Sequence, residues 1–338
     1  MFKRNRLPWI PLSWIPLFSL AVSAALVGSA SAQNPPSPLA GYETRFKTEK
    51  IPRDGFDLYY RSLGAGEPVL LLSGGPGDDC DYLLPVASDL AKYAHAILLE
   101  QRGTGRSLLP RVDKSTMNLA RYLEGFEALR AHLNVQRWTV VGHSAGGILA
   151  MDYAAAYPDR VDKIILLDTA PVAFQYLTAF EDNILDRLSP EDRDQLATLE
   201  KTDSPQSRTA VAKLEAKGLF FDRKIGEQLA RELSGAWHAD VGHLLGSEIT
   251  APGYDLRPRL KSFDRPVLVL NGRQDPMDPL MAYETSAAFS HSTLLFVDRA
   301  GHFPWFDQPK EFDKDLENFL DRNEAGLEHA CKSKFAWV

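Results

Sequence analysis

The stretch WTVVGHSAGGIL, residues 138–149, decides the fold. Its first four residues predict a short buried strand, and residues 147–157 predict a helix. Between the two, residues 142–146 read GHSAG and match the pattern G-x-S-x-G. In this context the pattern predicts a sharp turn that presents Ser144 as a nucleophile, beside the partial positive charge of a helix N-terminus. The alternative is a tight turn without a chemical role.

Short apolar runs alternate with amphipathic helical stretches on both sides of Ser144. Strands are predicted at residues 45–49, 57–63, 68–73, 96–100, 138–142, 163–168, 267–271 and 293–297. Helices are predicted at residues 82–93, 116–133, 144–157, 277–289 and 310–322. Several strands are continuous runs of Val, Ile and Leu, as expected when helices cover both faces of a sheet. The sequence therefore predicts an α/β fold with a doubly wound, mostly parallel sheet of eight strands.

One long stretch without a good strand interrupts this alternation, between Asp168 and Val267. Its pattern predicts helices at residues 174–188, 191–201, 208–217 and 222–245. We expect this insertion to form a lid over the carboxyl ends of the strands, where ligands bind in open α/β sheets. The expected organisation is a core at residues 44–171 and 263–323, a helical lid at 172–262 and a C-terminal tail at 324–338.

The first 32 residues predict a secretory signal peptide. Basic residues near the start precede an uncharged apolar stretch at 7–27, and residues 30–32 read ASA, a small-residue cleavage site. Cleavage would leave Gln33 as the first residue of a Pro- and Ser-rich linker, 33–43, and would make the protein exported, either periplasmic or secreted. The alternative is an uncleaved membrane anchor.

Composition and charge narrow the class of protein. The chain has 338 residues, is 44% hydrophobic and 25% charged, and carries a net charge of −7, which is typical of a globular protein and argues against a nucleic-acid partner. Short metal-ligand spacings, dinucleotide fingerprints and phosphate loops are not found in the sequence, so no metal or cofactor is implied. Export would allow a disulfide between Cys80 and Cys331, and two free thiols are the alternative.

A serine nucleophile needs a base, and the base needs an acid that orients it. On a sheet with this serine turn, the order along the chain is serine, acid, histidine. His302 lies in a Gly-His-Phe turn directly after the last predicted strand, and it is the predicted base rather than a packed loop histidine. Asp275 follows the strand before it and is the predicted acid, with Asp168 at the end of the preceding strand as the rival. A histidine base predicts activity that rises through about pH 6–7.

The oxyanion of the tetrahedral intermediate needs two preorganised N–H donors. Ala145, the residue after the nucleophile, is predicted to supply one. The loop SGGPG at residues 73–77 follows the third strand and is predicted to supply the other from Gly75. Standing alone, this loop would be read as an ordinary Gly/Pro turn.

Five segments together resemble one family. The loop SGGPG at 73–77 and the segment EQRGTGRS at 100–107 are similar to the HGGPG and DQRGxGRS segments of proline iminopeptidase-like α/β-hydrolases. Residues 142–147, 271–275 and 301–303 resemble the nucleophile, acid and histidine segments of the same family. The resemblance implies an α/β-hydrolase fold and an aminopeptidase that removes N-terminal residues from short peptides.

The chain departs from the family pattern at three positions. Ser73 replaces a histidine and Glu100 an aspartate, and both are expected to support the oxyanion loop rather than to react. Ala145 stands where many iminopeptidases carry tryptophan, which makes the serine motif resemble the wider esterase pool. Arg102 is expected to pack near the oxyanion loop in an ion pair rather than to bind an anion.

The resemblance also implies that lid glutamates hold the free amino group of the substrate. No motif selects among the candidates, and a glutamate on a helix usually belongs to a solvated face. We therefore assign no amine-binding residue from the sequence. The candidates are Glu181, Glu191, Glu200, Glu215, Glu227, Glu232 and Glu248.

The predicted function is acyl transfer by an exported serine hydrolase, with Ser144, His302 and Asp275 as the catalytic residues. The expected partner is a short peptide or a small molecule, with no nucleic acid and no membrane beyond the signal segment. A carboxylesterase acting on small or apolar acyl esters is the first alternative, and a non-catalytic binding module that retains the fold is the second. Epoxide hydrolases and dehalogenases of this fold use an aspartate nucleophile, which the serine at 144 disfavours.

Overall fold

One sheet of eight strands carries the fold. Five strands precede the serine turn along the chain, and the fifth leads directly into it. The order of the eight strands in space is β1-β2-β4-β3-β5-β6-β7-β8. Pairs β1–β2 and β2–β4 are antiparallel, and the other five neighbouring pairs are parallel. The predicted α/β class with a mostly parallel eight-stranded sheet is confirmed. The strands are β1 (Lys47–Arg53), β2 (Phe56–Gly64), β3 (Pro68–Leu72), β4 (His95–Leu99), β5 (Trp138–His143), β6 (Val161–Leu167), β7 (Val267–Gly272) and β8 (Ser292–Val297).

Helices flank the sheet and fill the connections between its parallel strands. They are α1 (Leu84–Leu90), α2 (Leu119–His132), α3 (Ala145–Ala156), α4 (Phe180–Arg187), α5 (Pro190–Leu199), α6 (Pro205–Leu219), α7 (Arg223–Glu232), α8 (Ala239–Ile249), α9 (Arg257–Leu260), α10 (Pro279–Ala287), α11 (Pro304–Asp307) and α12 (Pro309–Leu320). Short 3₁₀ helices lie at Glu43–Arg45, Asp81–Leu83 and Pro158–Arg160. Within the described ranges, none of the helices has the length and hydropathy needed to cross a bilayer.

This computed structural model describes residues 37–173, 179–202, 204–232 and 238–321. The predicted signal peptide, the start of the linker, residues 174–178 of the first predicted lid helix and the tail with Cys331 lie outside these ranges. Cys80 lies inside them and is buried. The signal peptide and the disulfide therefore stay predictions.

The central strand β3 shows why both faces of the sheet are covered. Leu70 and Leu72 point to one face and pack in the core formed with α2 and α3. Val69 and Leu71 point to the other face and pack in the core formed with α1 and α12. All four side chains are at most 1% exposed. Burial of each such side chain stabilises the fold by about 1.5–3 kcal/mol, so a continuous apolar strand is the favoured solution here.

The carboxyl ends of the parallel strands meet at one edge of the sheet. Leu72 of β3 pairs with Gly142 of β5, and His143 pairs with Leu167 of β6. Leu167 in turn pairs with Leu270 of β7. The loops that follow these strands therefore begin side by side, and they carry the predicted site residues.

The segment between β6 and β7 contains α4 to α9 and covers this edge. The prediction of one helix over residues 222–245 is wrong, because α7 ends at Glu232 and α8 begins only after His238. His238 has an extended backbone (φ −101°, ψ 95°), and its N–H donates to the carbonyl of Gly77 at 2.8 Å. This tertiary hydrogen bond to the loop after β3 needs a break in the helix, which helical periodicity alone does not show.

Candidate active site

The backbone of Ser144 is held in an unfavourable conformation between β5 and α3. Its φ is +52° and its ψ −122°, a region that costs a non-glycine residue about 1–3 kcal/mol. Three hydrogen bonds hold the turn: the Ser144 N–H donates to Leu167 O at 3.0 Å, and its carbonyl accepts from Gly147 N–H and Ala170 N–H. The surrounding structure therefore imposes the turn and directs the serine toward the carboxyl edge.

The glycines of the G-x-S-x-G motif are required by close backbone contacts. A Cβ on Gly142 would lie 2.4 Å from the carbonyl oxygen of Gly146, and a Cβ on Gly146 would lie 2.4 Å from the carbonyl oxygen of Leu72. Side chains at either position would push α3 away from β3 and β5. The motif is thus explained by packing of the turn against its neighbours.

His302 and Asp275 are hydrogen-bonded to each other after β8 and β7. His302 Nδ1 lies 3.0 Å from Asp275 Oδ1 and 3.1 Å from Oδ2. Asp275 Oδ1 also accepts from the N–H of Met277 at 2.9 Å. Both side chains are almost fully buried. This contact leaves Nε2 of His302 as the nitrogen that can act on a substrate.

The lid holds His302 in place. The His302 N–H donates to the carbonyl of Leu219 at the end of α6 at 2.7 Å, and the ring of Phe180 at the start of α4 lies 5.9 Å from the imidazole. Arg187 of α4 donates to the carbonyl of Gln274, the residue before Asp275. The lid thus contacts the loops that carry both the predicted base and the predicted acid.

Asp168, the rival acid, lies beside Asp275. Its Oδ1 accepts from the N–H of Gly272 at 2.7 Å, and burial, followed by the charge of Asp275, holds its pKa well above the usual range. One ligating atom from each of Asp168, Asp275 and His302 lies within 4.8 Å of the other two, the spacing of a possible metal site. Because His302 Nδ1 is already bonded to Asp275, the arrangement suits proton transfer better than metal ligation.

The loop after β3 passes directly over the serine turn. A Cβ on Gly74 would lie 2.6 Å from Ser144 Cβ, and the Gly74 N–H donates to Tyr82 Oη at 2.5 Å. Since that N–H is already used, the neighbouring Gly75 N–H is the better candidate for an oxyanion donor. Ala145 is the first residue of α3, where a backbone N–H has no acceptor within the helix. The geometry therefore favours Gly75 and Ala145 as the pair of donors.

The segment at 100–107 supports this loop. Gln101 Nε2 donates to Ser73 O at 2.9 Å and to Ser73 Oγ at 2.6 Å. Glu100 is buried and pairs with Arg61 at 3.1 Å and with Arg106. Ser73 thus has the supporting role expected of it, whereas Glu100 binds Arg61 and Arg106 and makes no hydrogen bond to the described residues 73–77.

Arg102 differs from its expected ion pair. Among the described carboxylates, none forms a salt bridge with its guanidinium. Instead its Nε donates to Thr116 O at 2.7 Å and its guanidinium lies over the ring of Phe56, 4.7 Å from the centroid. Burial lowers its pKa, and the aromatic face replaces the expected carboxylate.

Three of the lid glutamates interact electrostatically with one another. Burial, followed by the charges of Glu200 and Glu181, raises the pKa of Glu215 to about 8. Glu181 directly follows Phe180, whose ring contacts His302, and Glu215 lies one helical turn before Leu219, whose carbonyl accepts from His302. We call Glu181, Glu200 and Glu215 the acidic cluster.

The other lid glutamates are engaged elsewhere or exposed. Glu227 lies 3.8 Å from Lys217, Glu248 accepts from the N–H of Leu119 at 2.8 Å, and Glu191 is exposed on α5. The side chain of Glu232 lies outside the described residues. Glu181 and Glu200 are exposed like Glu191, and what distinguishes them from it is their effect on the pKa of Glu215.

A family model described as the alpha/beta hydrolase fold matches residues 67–309. This chain belongs to that family. The match spans the loop after β3, the serine turn, the lid and the loop that carries His302. The resemblance drawn from the sequence motifs is confirmed at the level of the α/β-hydrolase family.

Relatives of this α/β hydrolase include proteins named proline iminopeptidase. The one from Heyndrickxia coagulans is 28% identical over 267 residues, which cover 76% of this chain and 92% of the relative. The one from Lactiplantibacillus plantarum is 27% identical over 292 residues, covering 80% and 99%. A solved proline iminopeptidase of Mycobacterium smegmatis superposes with a TM-score of 0.65 at 19% identity, covering 84% and 100%. The α/β hydrolase is a serine hydrolase on these comparisons.

One part of the site in this α/β hydrolase was not foreseen from the sequence. Tyr82 Oη lies 2.9 Å from His143 Nδ1, and His143 Nε2 lies 3.0 Å from the carbonyl oxygen of His302. Burial, followed by the charge of His302, lowers the pKa of His143, so its ring is neutral. Because Tyr82 Oη accepts from Gly74, its own proton goes to Nδ1, and His143 donates from Nε2. The only sequence signal was the position of His143 inside the serine motif.

Proposed function

We propose that this α/β hydrolase is an exported aminopeptidase of the proline iminopeptidase type. It would remove the N-terminal residue from short peptides, with Ser144 as nucleophile, His302 as base and Asp275 as the acid that orients the base. The relatives named proline iminopeptidase support the class of reaction. The hydrogen bonds between His302 and Asp275 support the assignment of base and acid.

The proposed reaction proceeds through an acyl-enzyme. Ser144 Oγ attacks the carbonyl carbon of the first peptide bond while His302 Nε2 takes its proton, and the N–H groups of Gly75 and Ala145 bind the oxyanion. Asp275 accepts a hydrogen bond from Nδ1 and stabilises the charged imidazole. Collapse breaks the C–N bond, and His302 gives its proton to the leaving amine. Water then attacks the ester through the same base and releases the N-terminal amino acid.

The acidic cluster is the observation that favours a peptidase over an esterase. A peptide with a free N-terminus carries an ammonium group close to the bond to be cleaved, and lid carboxylates within reach of that group would pair with it. In the free protein Glu215 holds a proton at neutral pH because burial and its acidic neighbours raise its pKa to about 8. A bound ammonium group would favour the charged form and release that proton.

A carboxylesterase is the second candidate, and Ala145 is the observation that favours it. A small residue after the nucleophile leaves room for acyl groups of varied shape. Ser144, His302 and Asp275 would serve either reaction unchanged. The substrate's amine, rather than the reacting bond, therefore separates the two functions.

A substrate panel tests the proposal. Rates are measured for proline p-nitroanilide, for its N-acetylated form and for p-nitrophenyl acetate. We expect turnover of the free-amine substrate and its loss on acetylation. Glu200→Gln and Glu215→Gln should raise the KM for proline p-nitroanilide about 10- to 100-fold, with little effect on the ester. Glu191→Gln, on the exposed face of α5, is the matched control.

The alternative functions give different results in the same panel. Fast ester turnover that none of the glutamine variants affects would identify a carboxylesterase. Ser144→Ala should abolish every activity and also labelling by a fluorophosphonate probe. A folded wild-type protein that fails to react with the probe would instead be a binding module without catalysis.

Export is proposed from the first 32 residues and is tested separately. Expression of the full chain in a Gram-negative host should place the activity in the periplasmic fraction. N-terminal sequencing of that protein should begin at Gln33. An intact N-terminus in the membrane fraction would indicate an anchor.

A further inference from the structure

Two buried carboxyl groups lie side by side at the ends of β6 and β7. Asp168 and Asp275 are each at most 3% exposed, and an oxygen of one carboxyl group lies within 4.8 Å of an oxygen of the other. Two adjacent anions in a dry environment repel each other strongly, so one of the two carries a proton. In other proteins, two adjacent buried carboxyl groups share a single proton.

The neighbours of each carboxyl decide which one is neutral. Asp275 accepts from His302 Nδ1 and from the N–H of Met277. Asp168 accepts from the N–H of Gly272 through Oδ1, and among the described residues no N–H or O–H group donates to its Oδ2. An ionised Asp168 would bury an unpaired negative oxygen, which is costly. A neutral Asp168 with its proton on Oδ2 has a ready acceptor in Asp275.

We propose that Asp168 is a neutral positioning residue that donates its carboxyl proton to Asp275 and so orients the acid of the triad. The proposal rests on the proposed function of Ser144, His302 and Asp275. Asp275 then accepts from three sides, so its carboxylate plane is fixed and part of its charge is drawn away from His302. Asp168 touches no substrate in this scheme and acts only through Asp275.

Charged groups on neighbouring elements fit this assignment. Asp307 of α11 adds negative charge near Asp168 and favours its neutral form. Arg187 of α4 brings a positive charge near Asp275. The ring of His143 is neutral, and His302 contacts Asp275 rather than Asp168. The surroundings thus keep the proton on Asp168 and the charge on Asp275.

Substitutions of Asp168 separate proton donation from simple packing. Asn keeps an acceptor for Gly272 and offers an N–H to Asp275, and it tolerates the positive φ of +41° at this position. Ala removes both interactions. Asp264→Ala, at an exposed aspartate, controls for the loss of a carboxyl as such.

The first measurement is the rate of fluorophosphonate labelling of the full chain between pH 5 and 10. Without Asp168 the charge of Asp275 is concentrated on His302, which favours the protonated imidazole. Asp168→Ala should therefore move the pH of half-maximal labelling upward by about 0.5–1 unit and lower the rate at pH 7 about two- to threefold. Asp168→Asn should restore both values toward wild type.

The second measurement does not depend on the alanine variant being folded. An infrared difference spectrum of wild type minus Asp168→Asn at pH 7 should show the carbonyl band of one neutral carboxyl group. Absence of that band, or an unshifted labelling profile in a folded alanine variant, overturns the proposal. Wild-type labelling at a site other than Ser144, seen as full reaction of Ser144→Ala, would instead overturn the triad itself.

Discussion

Tyr82 and His143 are joined by a hydrogen bond of 2.9 Å between Oη and Nδ1, although 61 positions separate them along the chain. Through this bond the loop that supplies the proposed oxyanion donor is tied to the serine turn. His143 continues the chain of contacts to the carbonyl of His302 at 3.0 Å. The relative position of the proposed oxyanion donor, Ser144 and His302 therefore depends on one tyrosine hydroxyl and one neutral imidazole.

Tyr82→Phe is expected to lower kcat about tenfold with little change in KM. The change leaves the Gly74 N–H and His143 Nδ1 buried without partners, which costs about 1–3 kcal/mol and lets the loop shift. Steady-state kinetics and thermal unfolding measure the two effects. Tyr93→Phe, at an exposed tyrosine, is the control. A lower unfolding temperature with unchanged kcat would show that the bridge serves stability alone.

Asp275→Asn should lower kcat by about 10⁴, because the amide favours the wrong tautomer of the base. Asp168→Asn should have a far smaller effect, since its amide preserves both hydrogen bonds. The comparison is made by steady-state kinetics on the best substrate of the panel. Equal losses in the two variants would mean that the two carboxyls act as one acid.

Glu215 predicts a pH dependence of stability. Its pKa rises from 4.5 to about 8 on folding, so the folded protein holds a proton that the unfolded chain has released. The free energy of unfolding therefore falls as the pH rises between these two values. Glu215→Gln removes this decrease in the free energy of unfolding. The free energy of unfolding of the variant, relative to that of wild type, should therefore increase by at least about 1 kcal/mol from pH 5 to pH 8.

Thermal unfolding at the two pH values measures this difference. An advantage of about 1 kcal/mol corresponds to roughly 2–4 °C for a domain of this size. Glu191→Gln should show no such trend. If the difference in unfolding temperature between Glu215→Gln and wild type were the same at pH 5 and pH 8, the side chain of Glu215 would be solvated and its pKa would not be raised.

Gly77 and Gly55 offer a matched pair of substitutions for the lid contact. Both have a positive φ, +93° and +84°. A Cβ on Gly77 would lie 2.5 Å from the carbonyl of His238, whereas nothing lies within 4 Å of a Cβ on Gly55. Gly77→Ala should therefore destabilise the protein by about 1–3 kcal/mol more than Gly55→Ala. It should also lower activity, because α8 has to move.

Thermal unfolding of both variants tests this contact, and kinetics on the folded fraction tests its effect on the site. Gly55→Ala reports the cost of the backbone conformation alone. Equal unfolding temperatures of the two variants would mean that α8 moves away from the added methyl group at no cost in stability.

The sequence was most informative where burial dictates residue type. A strand covered on both faces has to be apolar throughout, so runs such as residues 68–72 and 267–270 identified seven of the eight strands to within two residues at each end, whereas the end of β1 was predicted four residues too early. The serine turn was readable because close backbone contacts admit only glycine at 142 and 146. The order of Asp275 and His302 after successive strands predicted that the two would pair, and their side chains are hydrogen-bonded to each other.

Contacts that depend on distant partners could not be read in this way. Nothing in the local pattern of Tyr82 indicates that its hydroxyl meets His143. The break before α8 follows from a hydrogen bond to Gly77, and the ring of Phe56 takes the place of the ion pair expected for Arg102. Seven lid glutamates were equivalent as helix residues, and only the folded structure brings Glu181, Glu200 and Glu215 close enough to affect one another's pKa.

The hydrogen bond from the His302 amide to the Leu219 carbonyl joins the lid to the loop that carries the proposed base. If α6 moved outward, this bond would break, and the aromatic contacts of Phe180 and Phe220 with the loop that carries His302 would be lost as well. Such a movement would also displace the backbone of His302, so the position of the lid and that of the proposed base are coupled.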